Sequence, residues 1–355
     1  MSALFDTAHI FEHRGLFALE SGAVLDGYHL AYHVFGRMNE HKDNVVWVFH
    51  ALTANSDARV WWPGLVGEGR LFDPAHHFIV CVNMPGSCYG SIGPLDVRAS
   101  QPSHHDFPFF TIRDMVNAYR TLRDFLGIGR IKVGIGGSMG GQQLLEWAVS
   151  EPAAFEYIIP IATNALHSAW GKAFNASQRW CIEADPSWPT DSLAAGIAGM
   201  KIARSVALLS YRHYQTYEQF QQDSDVSLLS GHRAASYQRY QGEKLANRFN
   251  AYSYHALSRS MDSHHVGRHF GSAALALGRV TAKAIVIGLR SDILFPLVEQ
   301  EFLAVNIRGA SFSVIESTYG HDGFLLEAEA IGEVIRQRLC SEGNSFRLFS
   351  PVTLP

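Results

Sequence analysis

Ile131-Lys-Val-Gly-Ile-Gly-Gly-Ser-Met-Gly-Gly-Gln142 is the stretch that decides the fold. It opens as an apolar strand, turns through glycines around Ser138, and continues into Gln143-Leu-Leu-Glu-Trp-Ala-Val149, which reads as a helix. A serine set in Gly136-Gly137-Ser138-Met139-Gly140 between strand and helix has the context of a G-x-S-x-G nucleophile elbow. Small neighbours matter because larger side chains would collide on so sharp a turn. Two other glycine-rich readings fail. A dinucleotide fingerprint needs its third glycine where Met139 stands, and a P-loop needs a lysine that is absent.

Outward from this stretch, short apolar runs alternate with amphipathic helical ones, the pattern of a mostly parallel sheet covered by helices. Strands are expected at Tyr28–Phe35, Val45–Phe49, Phe78–Val82, Ile131–Ile135, Tyr157–Ile161, Ala284–Ile287 and Phe312–Ile315. Runs such as VVWVF and FIVCV are apolar throughout, as strands buried on both faces should be. Helices are expected at Ile112–Leu126, Met139–Ser150, Leu297–Ala304 and Glu327–Leu339. From about Asn164 to Leu277 the alternation stops, and the chain reads as helices, for example Ala194–Tyr211 and Ser236–Leu257. The expected class is α/β, an α/β-hydrolase fold with a mostly parallel central sheet flanked by helices. Residues 1–165 and 276–355 would form the core, with 166–275 inserted as a helical lid.

The 355 residues are 47% hydrophobic and 17% charged, the balance of a globular enzyme rather than a disordered chain. The formal net charge of −4 and the lack of a basic stripe argue against a nucleic-acid partner. No apolar run is long enough for a membrane span, and the first residues lack the apolar core of a secretory signal. The four cysteines (Cys81, Cys88, Cys181, Cys340) form no C-x-x-C pair, so a reduced, cytoplasmic setting is expected.

A serine hydroxyl needs a base to take its proton, and the base needs an orienting carboxylate. The chain order Ser, acid, His points to Asp292, in a loop after the strand AIVIG, and to His321, in a loop after FSVIE. Both lie at carboxyl ends of strands, where open α/β sheets place their functional groups. Charge developing on an attacked carbonyl oxygen calls for two N–H donors. Met139, next after the nucleophile, supplies one; Leu52, in His50-Ala-Leu-Thr53, is the best candidate for the other. His50 itself reads as structural. His104-His105 and the group His264, His265 and His269 lack metal-ligand spacing, so they read as solvated loop or lid histidines, and no metal is expected.

These residues closely resemble the homoserine O-acetyltransferase family, and the likeness runs over nearly the whole chain. It includes HALT at His50, NMPGSCYGSIGP from Asn83, DFPFFTIRDMV from Asp106, GIGGSMGGQQ around Ser138 and FNASQR before Trp180. SYQRYQGEKLANRF, SRSMDSHHVGR, SDILFP and GHDGF follow. The resemblance implies acyl transfer from acetyl-CoA to the hydroxyl of L-homoserine, in methionine biosynthesis, through an acyl-enzyme on Ser138. Acetyl-CoA would be a substrate, with no permanently bound cofactor. It also implies that Arg204 and Tyr211 hold the acceptor's carboxylate, that Asp322 holds its amino group, and that the chain forms a homodimer through the lid. Arg179 and Arg212 are weaker candidates, left outside the core site. Two stretches depart from the family pattern: Ala54-Asn55-Ser56-Asp57, where glycine usually follows HALT, and the shorter segment Leu95–His105. Succinyl-CoA as donor, serine as acceptor, and an esterase or thioesterase on the same machinery are the alternatives left open.

Overall fold

The computed structural model describes residues 8–96, 98 and 102–340. Eight strands form one sheet in the order β1-β2-β4-β3-β5-β6-β7-β8. They are β1 (His9–Ala18), β2 (Val24–Phe35), β3 (Val45–Phe49), β4 (Phe78–Val82), β5 (Ile131–Gly137), β6 (Phe155–Ile161), β7 (Lys283–Leu289) and β8 (Ser311–Ile315). β1 pairs antiparallel with β2, and β2 with β4; every pair from β4 to β8 is parallel. All seven expected strands are present. β1 was not anticipated, and β2 starts at Val24, four residues before the expected Tyr28. The reason is exposure. β1 is an edge strand that buries only Phe11 fully and shifts register between His13 and Leu16, so its pattern is irregular.

Helices cover both faces. Before β5 lie α1 (Ala58–Trp61) and α2 (Ile112–Phe125), and α3 (Met139–Ser150) follows it. α2 begins at a capping box, with Thr111 and Asp114 satisfying each other's backbone N–H groups. Between β6 and β7 come α4 (Ala169–Glu183), α5 (Ile197–Tyr211), α6 (Tyr214–Gln221), α7 (Arg233–Ala246), α8 (Ala251–Asp262) and α9 (Ala273–Leu277). α10 (Leu297–Asn306), α11 (Gly323–Leu326) and α12 (Ala328–Cys340) complete the described chain. The single helix expected over Ser236–Leu257 is two, α7 and α8. The break falls at Asn247–Asn250, where the Asn250 side chain accepts from the Ser253 N–H at 2.8 Å and starts a new helix. Among the described residues, no helix is long and apolar enough to cross a membrane.

The sheet divides the core in two. Val45, Trp47 and Phe49 of β3 point to one face, where Trp147 packs edge-on to Trp47 with centroids 5.1 Å apart. Val46 and Val48 point to the other, among Trp62, Ile135, Ile159 and Phe324. All five β3 residues are buried because both faces are covered. Each large side chain so buried contributes roughly 1.5–3 kcal/mol. The chain goes from β3 to β4 on one side and later to β5 on the other, so β3 and β5 flank the point where strand order reverses. A crevice opens at the carboxyl ends of strands at such a point. His50–Thr53 leave β3 there, and Ser138 leaves β5 there.

Candidate active site

Ser138 sits at the sharpest point of the β5–α3 turn, with φ 56° and ψ −128°. An L-residue adopts that conformation only under constraint. The Ser138 N–H donates to the Ile161 carbonyl of β6 at 3.1 Å. Its own carbonyl accepts from the Thr163 hydroxyl at 2.8 Å and the Gly141 N–H at 2.9 Å. The flanking glycines are required by contact. A Cβ on Gly136 would meet the Gly140 carbonyl at 2.5 Å, and one on Gly140 would meet the Phe49 carbonyl oxygen at 2.2 Å. Helix α3 can therefore lie directly on the end of β3.

His321 is 3% exposed and Asp292 is 4% exposed. His321 Nδ1 and Asp292 Oδ2 are 2.7 Å apart. The other carboxylate oxygen of Asp292 accepts from the N–H groups of Leu294 and Phe295, at 2.8 and 2.9 Å. With one oxygen tied to the backbone, the other is aimed at the imidazole. Phe295 stacks on the His321 ring at 5.0 Å, and the rings of Phe324 and Tyr211 approach to 5.3 and 5.7 Å. Asp292 lies behind His321, away from solvent, while Ser138 and His321 both line one cleft of about 490 Å³.

The Leu52 segment is a turn closed by the Ala54 N–H to the Ala51 carbonyl at 3.0 Å. Leu52 occupies its second position, whose N–H takes no part in that bond. Behind the turn, His50 is fully buried. Its Nδ1 faces the Ala51 carbonyl at 2.9 Å, and its Nε2 accepts from the Met84 N–H at 3.1 Å. Burial pushes the imidazole down to about 4, so it is neutral, with one nitrogen donating and the other accepting. Gln143 of α3 donates to the His50 carbonyl at 3.2 Å, tying the turn that carries Leu52 to the helix that begins at Met139. The Met139 side chain is buried in the core.

The remaining sequence-named residues also reach the cleft: Arg204, Tyr211 and Asp322 line it with Ser138. The Arg204 guanidinium carbon lies 5.2 Å from the centre of the Tyr211 ring. Burial raises the Tyr211 hydroxyl above the usual phenol range, so it remains a neutral donor. The end of α5 abuts the His321 turn so closely that a Cβ on Gly320 would meet the Tyr211 carbonyl at 2.9 Å.

Several cleft residues were missed. Arg212, set aside in the sequence, forms an ion pair with Asp322 at 3.0 Å. Lys244, Arg248, Gln241, Tyr89 and Trp61 also line the cleft. Arg248 closes 159 residues of separation, its Nη1 donating to the Tyr89 hydroxyl at 2.7 Å, and it also bonds the Thr53 carbonyl. Of the two departing stretches, Ala54 and Asn55 line the cleft, and Leu95–His105 falls partly outside the described residues. Arg179 pairs with Asp262 at 2.7 Å and is absent from the lining.

The reading of His264 as solvated is wrong. It is buried against the Asn164 carbonyl at 3.0 Å and pushed down to about 3 by burial. His265 is half-buried, while His269 and His105 are exposed. Among the described residues, no three His, Cys, Asp or Glu side chains are grouped to hold a metal ion.

Residues 44–328 match the family described as alpha/beta hydrolase fold. The chain is 42% identical over 332 residues to the homoserine O-acetyltransferase of Cyclobacterium marinum, covering 93% of this chain and 94% of that one. It is 40% identical over 341 residues to the enzyme of the same name from Chlorobaculum tepidum, covering 94% and 95%. Among solved structures it is similar to an acetylester hydrolase from Corynebacterium glutamicum, with TM-score 0.82 and 26% identity, over 94% and 95% of the two chains.

Proposed function

The chain belongs to the homoserine O-acetyltransferase family of the α/β-hydrolase fold, and from that premise we propose that it moves an acetyl group from acetyl-CoA to L-homoserine through Ser138. The observation that carries this reading is the buried 2.7 Å contact of His321 with Asp292, beside a cleft that holds Ser138, Arg204, Tyr211 and Asp322 together.

In the first half-reaction, Ser138 Oγ attacks the thioester carbonyl carbon while His321 Nε2 takes the hydroxyl proton. Negative charge moves to the carbonyl oxygen, which the N–H groups of Leu52 and Met139 receive. The intermediate collapses as the carbon–sulfur bond breaks. The proton passes from His321 to sulfur, and CoA departs as the free thiol. An acetyl ester remains on Ser138. In the second half, the homoserine hydroxyl gives its proton to His321 and attacks that ester. The Ser138 oxygen leaves and recovers the proton, releasing O-acetylhomoserine. The Asp292 oxygen at Nδ1 orients His321 and stabilises the imidazolium that forms twice in each cycle.

The acceptor is held at both its charges. Arg204 offers a planar fork to its carboxylate and Tyr211 a neutral hydroxyl, while Asp322 faces its ammonium group. Asp322 pairs with Arg212 at 3.0 Å, so the ammonium group shares that carboxylate with Arg212. We also infer a homodimer through the helical lid, whose exposed apolar side chains include Trp180, Ile202 and Leu209; light scattering that returns the mass of one chain would contradict it.

CoA release with acetyl-CoA or succinyl-CoA, against homoserine, serine or no acceptor, tests the reading. The expected result is sustained release over many turnovers only with acetyl-CoA and homoserine together, and a single burst of about one CoA per active site with acetyl-CoA alone. Sustained release without an acceptor would replace the transferase by a thioesterase, and sustained release with serine alone would remove homoserine as the acceptor.

A further inference from the structure

We propose that Thr163, held by Gln300, is a positioning residue for Ser138: it keeps the nucleophile in its strained conformation and ties the elbow to the helix that follows the Asp292 loop. The inference rests on the reading of Ser138 as the nucleophile and adds what fixes it in place.

Two residues other than glycine have left-handed backbone at the ends of neighbouring strands: Ser138 after β5, with φ 56°, and Ala162 after β6, with φ 45°. Such conformations persist where the surroundings over-determine them. Here each turn holds the other. The Ser138 N–H donates to the Ile161 carbonyl at 3.1 Å, and the Ser138 carbonyl accepts from the Thr163 hydroxyl at 2.8 Å. Residues 161 and 163 therefore grip both backbone polar groups of the nucleophile, and the turn at Ala162 lies between them. The Ala162 N–H donates to the Ile287 carbonyl at 2.9 Å, which pins the segment to β7. The Gly141 and Gln142 N–H groups also reach the Ser138 carbonyl, but they belong to the elbow's own helix and move with it. Thr163 holds it from outside. Helix α3 makes room for this contact: a Cβ on Gly141 would meet Thr163 Cγ2 at 2.5 Å and Oγ1 at 2.8 Å.

Thr163 is itself held. Its carbonyl accepts from Gln300 Nε2 at 2.7 Å. The next residue, Asn164, donates to Glu299 Oε2 at 3.0 Å and accepts from Gln142 Nε2 at 2.9 Å. Consecutive residues of one segment thus join α3 to α10. That helix starts at Leu297, directly after the Leu294 and Phe295 N–H groups that hold the Asp292 carboxylate. A single buried path then runs from Ser138 through Thr163 and Gln300 to the loop that orients His321. Thr163 and Gln300 are fully buried, and neither lines the cleft, so both act through Ser138 rather than on a substrate. Misplacing a reacting group by about 1 Å can cost about 100-fold in rate.

The test is the burst of CoA release from acetyl-CoA alone, followed by stopped flow in wild type, Thr163→Val, Thr163→Ser, Gln300→Met and the Thr163→Val/Gln300→Met pair. Thermal unfolding checks that each variant folds. Valine keeps the shape and removes the hydroxyl. We expect Thr163→Val to lower the saturating burst rate by about 10–100-fold, with the half-saturating acetyl-CoA concentration nearly unchanged. Thr163→Ser, which keeps the donor, should recover all but about threefold of the rate, and Gln300→Met should lower it by about 3–10-fold. The pair should be no slower than Thr163→Val, because the two residues act in series. A folded Thr163→Val enzyme with a wild-type burst rate would overturn the proposal. So would equal falls in the Val and Ser variants, since shape and not the hydroxyl would then matter. A fall in the pair equal to the product of the single falls would remove Gln300 from the path. If Thr163→Val does not fold, a wild-type burst in Gln300→Met overturns the path in its place. A wild-type enzyme that turns over with no burst would overturn the acyl-enzyme reading itself, an outcome distinct from the others.

Discussion

Replacing Asp292 by Asn probes the geometry around His321 with a minimal change in shape. In the native site one Asp292 oxygen accepts the N–H groups of Leu294 and Phe295, and the other faces His321 Nδ1 at 2.7 Å. An asparagine must keep its carbonyl oxygen toward the two backbone donors, since its amide nitrogen cannot accept from them. The NH2 group is then presented to His321 Nδ1, which has to become the acceptor. The imidazole proton moves to Nε2, the nitrogen that should take the proton of Ser138. The base is held in the wrong tautomer, and the charge that stabilises the imidazolium is gone. The expected fall in kcat is about 10⁴-fold, equivalent to ~5.5 kcal/mol in the barrier. Stopped-flow release of CoA reads the acylation step, and thermal unfolding checks that the variant folds. A folded Asp292→Asn enzyme that keeps more than about a tenth of wild-type acylation would refute this account of the His321–Asp292 contact.

Three further outcomes follow from the same geometry. Gly140→Ala places a Cβ against the Phe49 carbonyl, and backbone on both sides leaves it nowhere to go. Urea unfolding should show a loss of roughly 1–3 kcal/mol, and a wild-type midpoint would contradict the tight α3–β3 contact. Arg204→Ala should raise KM for homoserine by about 10–100-fold with little effect on single-turnover acylation, because only acceptor binding loses a charged hydrogen bond; unchanged homoserine saturation would remove Arg204 from the acceptor site. Burial pushes Glu146 up to about 7 despite its 2.6 Å pairing with Arg113. The folded chain therefore holds a proton that the unfolded chain releases near 4.5, so this group makes stability fall as pH rises from about 4.5 to 7, by at most ~3 kcal/mol. Glu146→Gln should remove that slope from the denaturation profile, and an unaltered profile would show that Glu146 ionises normally.

The parts legible in the sequence were those whose signal is contiguous. The β5–α3 elbow, five further strands of the parallel region and the loops that carry Asp292 and His321 each announce themselves within about ten residues. What escaped depends on contacts made across the fold. β1 has one bare edge and a register shift, so its residues do not alternate cleanly. His264 looks like a loop histidine until a carbonyl 100 residues away is placed beside it. The pairing of Arg212 with Asp322 joins the end of α5 to the turn after β8 and leaves no local trace. Lys244 and Arg248 line the cleft, but nothing in the residues around them says that a cleft lies opposite. Homology narrowed the acceptor further than the fold did, since an acetylester hydrolase shares this architecture.

The most direct test is the mass of the intact protein after brief mixing with acetyl-CoA in the absence of homoserine. The account predicts a gain of one acetyl group, mapped by peptide sequencing to Ser138, lost when homoserine is added and absent from Ser138→Ala. An acetylated Ser138→Ala variant, or a wild-type chain that turns over both substrates while never carrying the group, would contradict it.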